Sequence, residues 1–260
     1  EQVIVKHGTA VGVALKNGDE YSAKTVVSSA DPKLTFLHLV DPKELPDELV
    51  ESIEKFNIRG SSAKVNLALD AAPNIACMPG DGPHLAGAIS ISPSTDYLER
   101  AYDDAKYGNY SQKPYIDMII PSMIDPGMAP PGKHVMSCFV QYAPYHLKEG
   151  TWQEKREALG DTVVDTLSEY IPNLKDIILH RQVMTPWDIE QVTGLSQGNI
   201  FQGELSLSQL FFLRPAAGFA KYRTPIKNYY QCGSGTHPGG GILGAPGRLA
   251  AMQILKDLKK

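Results

Sequence analysis

Cysteine is scarce in this chain: Cys77, Cys138 and Cys232 are the three among 260 residues, and none lies near another. No CxxC pair and no Cys/His cluster at metal-ligand spacing exists, so dithiol redox and zinc chemistry are not expected. The three read as buried, reduced thiols, which points to a reducing compartment. Long apolar runs are missing too. The longest candidate, Leu205 to Leu213, is interrupted by Ser206, Ser208 and Gln209, well short of the roughly 18–20 residues a bilayer crossing needs. Runs of like charge are absent and the net charge is −4, which argues against a nucleic-acid or polybasic membrane surface. No Ser/His/Asp triad or paired carboxylate stands out. The chain opens at Glu1-Gln2-Val3 with neither an initiator methionine nor a signal-like segment, and the expectation is a processed product or a piece of a longer protein.

What is present is ordinary globular material: 42% apolar and 21% charged residues, enough for one large domain or two modest ones. Residues 1–30 read as a β-meander. Val3 and Val5 share one strand face, and Val11, Val13 and Leu15 alternate along a second. Asn17-Gly18 marks the hairpin, because both central turn positions want φ > 0. Val26-Val27 form a short strand that ends at Ser28-Ser29-Ala30-Asp31-Pro32. Leu49, Ile53 and Phe56 have helical spacing. Ala63, Val65, Leu67 and Leu69 alternate as a half-buried strand, and so do Ile116, Met118, Ile120 and Met136, Cys138, Val140. Leu85 to Ile91 reads as a strand and Ser94 to Lys106 as a helix. Thr151 to Ile171 is a helix with a Thr151/Glu154 capping box and an apolar stripe of Leu159, Val163, Leu167 and Tyr170. Ile177 to Val183 is a strand, 186–218 a long structured loop, and Arg248 to Leu258 a helix whose apolar face is Ala251, Ile254, Leu255 and Leu258. This pattern predicts an α/β chain of α+β character, with a mostly antiparallel sheet covered by helices on one side.

The densest glycine stretch lies near the end: Gly233-Ser234-Gly235-Thr236-His237-Pro238-Gly239-Gly240-Gly241, then Gly244-Ala245-Pro246-Gly247. A strand-like segment, Asn228 to Cys232, leads in and a helix leads out. Strand, glycine turn and helix let a backbone approach a cofactor closely and aim a helix N-terminus at negative charge.

The segment Tyr222-Arg223-Thr224-Pro225-Ile226 through Gly241 resembles the C-terminus of phytoene dehydrogenase-like flavoproteins. Thr185-Pro186-Trp187-Asp188-Ile189-Glu190, Gly203-Glu204-Leu205 and Gln209-Leu210-Phe211-Phe212-Leu213-Arg214-Pro215 narrow the likeness to one branch of that family, and Val26-Val27-Ser28-Ser29-Ala30-Asp31-Pro32 matches its return strand. The likeness spans the whole chain as the C-terminal half of a family member. It implies FAD, held by Gly233, Ser234, Gly235, His237, Pro238, Gly239, Gly240 and Gly241. It implies that residues 1–32 and 215–260 close an FAD-binding Rossmann-like domain and that 33–214 form a substrate-binding domain. The family's GxGxxG fingerprint is missing, so an N-terminal FAD-binding half is the implied partner. Ser234 stands where many related flavoproteins carry Asp. The implied reaction is dehydrogenation or isomerisation of an apolar small molecule, a polyene among the candidates, in the bacterial cytoplasm or the mitochondrial matrix of a eukaryote. A non-catalytic scaffold acting through protein partners is the alternative.

Several residues keep two readings. His237 is a flavin contact or proton relay, or a loop histidine bonding backbone. Arg214 holds an anionic cofactor or substrate group, or makes a structural ion pair. Tyr222 and Arg223 line the flavin cavity, or serve packing and surface pairing. His180 reads as a satisfied buried histidine. Met118, Met123, Met128 and Met136 form an apolar substrate pocket or plain core.

Overall fold

A computed structural model describes residues 1–259, and the chain divides into two compact units. One joins Glu1–Arg59 to the chain from Asn199 onward; the other is the uninterrupted stretch Gly60–Gly198.

The first unit opens with the expected antiparallel meander of β1 (Gln2–Lys6), β2 (Thr9–Ala14) and β3 (Glu20–Ser22). His7 and Gly8 both have positive φ between β1 and β2, the geometry whose twist matches a two-stranded ribbon. Along β2 Ala10 and Gly12 are buried, Val13 lies opposite Val3 and is partly buried against the unit's core, Val11 is half-buried and Leu15 is exposed. A small residue is required at Gly12: a Cβ there would meet the Tyr21 carbonyl oxygen at 2.2 Å. β4 (Val26–Ser28) follows, then α1 (Asp47–Glu54), which buries Leu49 and Ile53 completely. Phe36, Val3 and Tyr229 share that core. The compact units meet at 59/60 and 198/199, whereas the resemblance implies domain limits at 32/33 and 214/215. Phe36, Val40, Leu45, Leu49 and Ile53 share one core with the meander's Val3 and Ala10.

The second unit is built on a five-stranded antiparallel sheet of β5 (Ser62–Leu69), β6 (Ile89–Ile91), β7 (Tyr115–Ile119), β8 (His134–Gln141) and β9 (Ile178–Met184), in the order β6-β7-β8-β5-β9. Leu85 lies in a 3-10 turn ahead of β6, so the strand is shorter than its apolar run. The period of two sends Val65, Leu67, Met118, Met136 and Cys138 to one buried face. The opposite face carries Lys64, Asn66, Ala68, Val135, Ser137, His180 and Gln182. Four helices complete the unit: α2 (Thr95–Lys106), α3 (Trp152–Ser168), α4 (Leu174–Ile177) and α5 (Pro186–Thr193). The Thr151/Glu154 capping box starts α3, and Leu159, Val163 and Leu167 press on the buried sheet face. Each such side chain contributes about 1.5–3 kcal/mol through burial. α5 corrects the expected loop over 186–218. Its Thr185/Asp188 capping box, Pro186 in the first turn and left-handed Gly194 at the end nucleate a helix in eight residues.

The chain then returns to the first unit. β10 (Tyr229–Gln231) pairs in parallel with β4, Tyr229 opposite Val26 and Gln231 opposite Ser28. α6 (Ala245–Leu258) begins three residues earlier than its apolar pattern indicates, behind a left-handed Gly244 and with Pro246 in the first turn. Its expected apolar face is not covered: Leu255 and Leu258 are exposed, and Pro246 and Ala250 are the buried positions. The helix is anchored by its polar side, where Asp257 accepts from Arg223, Tyr230 and Gln253. Among the described residues no helix is long and apolar enough to cross a membrane.

Gly160 sets how closely α3 and β9 approach, since a Cβ there would meet Val183 Cγ2 at 2.7 Å and Arg181 Cζ at 2.8 Å. Gly160→Val is expected to destabilise the second unit by about 1–3 kcal/mol in equilibrium urea unfolding. Gly247, with nothing within 4 Å, is the contrast: Gly247→Ala should cost nothing, or add up to about 1 kcal/mol.

Candidate functional site: a glycine turn and a sheet groove

The glycine turn grows directly from the parallel strand pair. Cys232 N–H donates to the Ser28 carbonyl at 2.8 Å, carrying the ladder one residue past β10. The chain then coils in two tight steps: Thr236 N–H donates to the Gly233 carbonyl and Gly239 N–H to the Thr236 carbonyl. Gly233 and Gly239 hold φ values of 83° and 103°, which a side chain would strain. Gly235 is required for another reason, close approach: a Cβ on it would meet Pro32 Cδ at 2.6 Å. The order of strand, glycine turn and helix is as expected. An exposed stretch, Gly241–Gly244, separates the turn from the start of α6.

The turn is wrapped around Arg214. This residue is fully buried, and its guanidinium donates only to main-chain carbonyls. Nε and Nη2 both reach Ser234 O, at 3.0 and 2.8 Å. Nη1 reaches Glu204 O and Gln209 O, and Nη2 also reaches Phe201 O and Gly203 O. The Phe56 ring lies 5.7 Å from Cζ. Both sequence readings of Arg214 are therefore corrected. It contacts neither a ligand surface nor a carboxylate, because all its donors are consumed by backbone. Glu204, whose carbonyl it binds, turns its carboxylate to Arg59 at 2.7 Å. Desolvation lowers the Arg214 pKa to about 10, so it stays cationic at neutral pH.

Tyr222 is half-buried, and its hydroxyl donates to the His237 carbonyl at 3.0 Å; burial raises its pKa. The hydroxyl is committed to the turn. The His237 ring lies 6.0 Å from that of Phe211, and its Nδ1 is buried without a partner. The loop-histidine reading required backbone bonding, which Nδ1 does not make. Arg223 pairs with Asp257 at the surface, away from the turn. Just ahead of the turn, Gln231 is 2% exposed and neither its Oε1 nor its Nε2 has a partner. An orphaned buried amide costs about 1–3 kcal/mol per group, so it marks a place where a further polar group belongs. Around the turn Ile242, Leu243, Phe211 and Phe212 stand exposed. A backbone cradle, small side chains, unpartnered polar atoms and an apolar rim suit a flat ring system with a polar edge.

The second unit carries a groove of about 720 Å³ on the open face of its sheet. Asn66, Ala68, Val135 and Ser137 floor it, His180 and Gln182 lie to one side, and Ile119, Pro121 and Met128 to the other. A string of hydrogen bonds crosses three strands there. Lys64 Nζ donates to Ser137 Oγ at 2.7 Å, Ser137 donates to Asn66 Oδ1 at 2.8 Å, and Asn66 Nδ2 donates to Gln182 Oε1 at 3.1 Å. Sequence reasoning reached this groove only through Met128 and Met136, two of the four methionines read as a pocket or plain core. Lys64, Asn66 and Gln182 look like an ordinary solvated face, and only sheet order brings them together. His180 is exposed on this face, not buried. The methionines divide: Met118 and Met136 are buried, Met136 also lining the groove, Met123 is half-buried against the core, and Met128 is exposed at the groove.

Of the cysteines, Cys138 is buried and its pKa is pushed up to about 12 by desolvation; burial also raises that of Cys232. Cys77 is exposed, against the expectation of a buried thiol. Among the described residues no group of His, Cys, Asp and Glu could hold a metal.

Residues 2–255 match the family described as flavin containing amine oxidoreductase. The chain is 43% identical over 260 residues to pyridine nucleotide-disulfide oxidoreductase domain-containing protein 2 of Mus musculus, covering 97% of this chain and 45% of that protein. It is 32% identical to a lycopene-forming phytoene desaturase of Pseudescherichia vulneris, covering all of this chain and 50% of the relative. A solved oxidoreductase from Methanosarcina mazei has the same fold, with a TM-score of 0.57 at 17% identity, over 98% of this chain and 48% of that one. The chain thus spans about half the length of the curated relatives it matches.

Iodoacetamide at pH 8 should alkylate Cys77 in the native protein, with Cys138 modified only after denaturation, as read by peptide mass spectrometry. A thiol held protonated to about pH 12 offers almost no thiolate at pH 8.

Proposed function

The chain belongs to the flavin containing amine oxidoreductase family, and from that premise we propose that it is the C-terminal portion of an FAD-dependent oxidoreductase acting on an apolar small molecule. FAD is the family's cofactor. The observation that carries the assignment is the glycine turn at 233–241, with the orphaned Gln231 amide ahead of it and unpartnered His237 Nδ1 within it. Gly233, Ser234, Gly235, His237, Pro238, Gly239, Gly240 and Gly241 would hold the flavin by main-chain contact. When bound, the flavin supplies a two-electron acceptor for dehydrogenation or for a redox-assisted isomerisation.

The protein's own part is to bind, orient and exclude. The turn presents backbone where side chains would obstruct. The cationic Arg214 beneath it adds positive potential, which favours electron-rich states of a neighbouring ring. The exposed apolar side chains of Phe211, Phe212, Ile242 and Leu243 would exclude water from a bound flavin. We assign the apolar part of the substrate to the sheet groove, where Ile119, Pro121, Met128, Ala68 and Val135 supply the surface. Its Asn66, Ser137 and Gln182 groups would orient a polar end. The 32% identity to a phytoene desaturase supports dehydrogenation of a polyene-type molecule. The implied N-terminal half would complete the cofactor site. No observation favours a scaffold role.

Two outcomes test this in the full-length protein. Gly240→Leu places a side chain where even a Cβ would meet Phe201 Cδ1 at 2.6 Å; it should lower the FAD retained through purification at least about tenfold, corresponding to roughly 1.4 kcal/mol, as read by flavin absorbance. Full retention counts against the site. Val135→Trp should raise KM for an apolar polyene substrate about tenfold, with flavin content unchanged. An unaltered KM removes the groove from the substrate path.

A further inference from the structure

One peptide unit in the turn is gripped from both sides. The Ser234 carbonyl accepts two hydrogen bonds from Arg214, at 3.0 and 2.8 Å. The N–H of the same peptide, on Gly235, donates to Gln202 Oε1 at 2.9 Å. The other end of the Gln202 amide donates to Ser29 O at 2.8 Å, just beyond β4. From these contacts we propose that Gln202 and Arg214 are positioning residues that lock the Ser234–Gly235 peptide plane and so preset the glycine turn for the flavin. The inference rests on the assignment of the turn as cofactor site.

Three features support a positioning role for Gln202. Its backbone sits at φ 55°, a left-handed conformation that costs a non-glycine residue free energy. That conformation is held by a short relay. Asn199 Oδ1 accepts from Phe201 N–H at 2.9 Å and Gly203 N–H at 3.3 Å, and Gln202 N–H donates to Asn199 O. Asn199 is itself buried and donates from Nδ2 to Arg59 O. The relay thus delivers the amide of Gln202 to two main-chain groups 173 and 33 residues away in sequence. The contacts are also divided. Arg214 holds the acceptor side of the plane and Gln202 the donor side, so the peptide cannot flip without breaking three hydrogen bonds. A peptide flip would exchange a carbonyl for an N–H on the surface of the turn, which inverts what the turn offers a ligand.

Arg214 also anchors Phe201, Gly203, Glu204 and Gln209, so its variants risk the fold. Gln202→Asn isolates the positioning role. Asparagine tolerates positive φ but is one methylene too short to reach both Ser29 O and Gly235 N–H. In the full-length protein, FAD affinity is measured by fluorescence titration of apoprotein, flavin geometry by visible circular dichroism at saturating FAD, and fold by the apoprotein melting temperature. The expected result is FAD binding about tenfold weaker, from two lost hydrogen bonds, together with an altered flavin dichroism band and a melting temperature within about 4 °C of the parent. Unchanged affinity and dichroism in Gln202→Asn, while Gly240→Leu still loses FAD, overturns the positioning role and leaves the site assignment standing. A lowered melting temperature with unchanged flavin dichroism also overturns it, since that is the mark of a merely structural contact. If Gly240→Leu keeps FAD as well, the site assignment fails and this inference with it. Should Gln202→Asn not fold, Gln202→Met answers the same three measurements.

Discussion

A buried guanidinium without a carboxylate organises the first unit. Arg214 is fully desolvated, and among the described residues no carboxylate oxygen lies within ion-pair distance of it. A lone buried charge is costly unless hydrogen bonds replace the lost water. Here five carbonyls do so: those of Phe201, Gly203, Glu204, Gln209 and Ser234. The exchange works in both directions. Between α5 and β10 the chain forms only short 3-10 turns, and its carbonyls have no ladder to join. Left without a donor when buried, each would cost about 1–3 kcal/mol. The arginine satisfies the loop, and the loop satisfies the arginine. The glycine turn belongs to the same assembly through Ser234, so its shape is tied to residues that never approach a ligand.

That assembly separates the two kinds of surface the chain offers. In the first unit the usable surface is main chain, made accessible by missing side chains and held by hydrogen bonds from behind. In the second it is side chain: an apolar trough with a polar string across it, carried by strands whose other face is packed under α3. A rigid backbone cradle suits a cofactor of constant shape, whereas an aliphatic trough with Met128 at its edge accommodates variable apolar partners. What each unit must keep is geometry in the first and volume in the second.

Much of this was legible in the residues. Ala63 to Leu69, Ile116 to Ile120 and Met136 to Val140 announce three sheet strands by alternation alone, and Thr151 with Glu154 announces α3. The glycine turn shows its importance through its place between a strand and a helix. The misses share a cause: they depend on partners distant in sequence. Gly12 is buried between Val11 and Val13 because it passes against the Tyr21 carbonyl. The residues Ala251, Leu255 and Leu258 have the spacing of a buried stripe, yet α6 is anchored through Asp257 on another side. Arg214 looked like a residue seeking an anion, since nothing local reveals five converging carbonyls. Gln202 gave no signal at all. α5 is the exception, because Thr185, Pro186 and Asp188 carried its start signal; eight residues are too few for apolar periodicity to register.

The parallel pairing of β4 with β10 has a consequence for how the protein is made. One strand leaves the ribosome before the whole second unit and the other after it. That unit is contiguous and holds its own core, so it can close while synthesis continues. Val26 to Ser28 must wait for Tyr229 to Gln231, and until then a strand edge and the Phe36, Leu49 and Ile53 side chains lack their final partners. Long-range pairing of this kind folds slowly and leaves exposed edges open to mispairing. Of the two units, the first is the one that waits longest on the nascent chain for its partners, and the glycine turn leaves the ribosome only after the whole of the second.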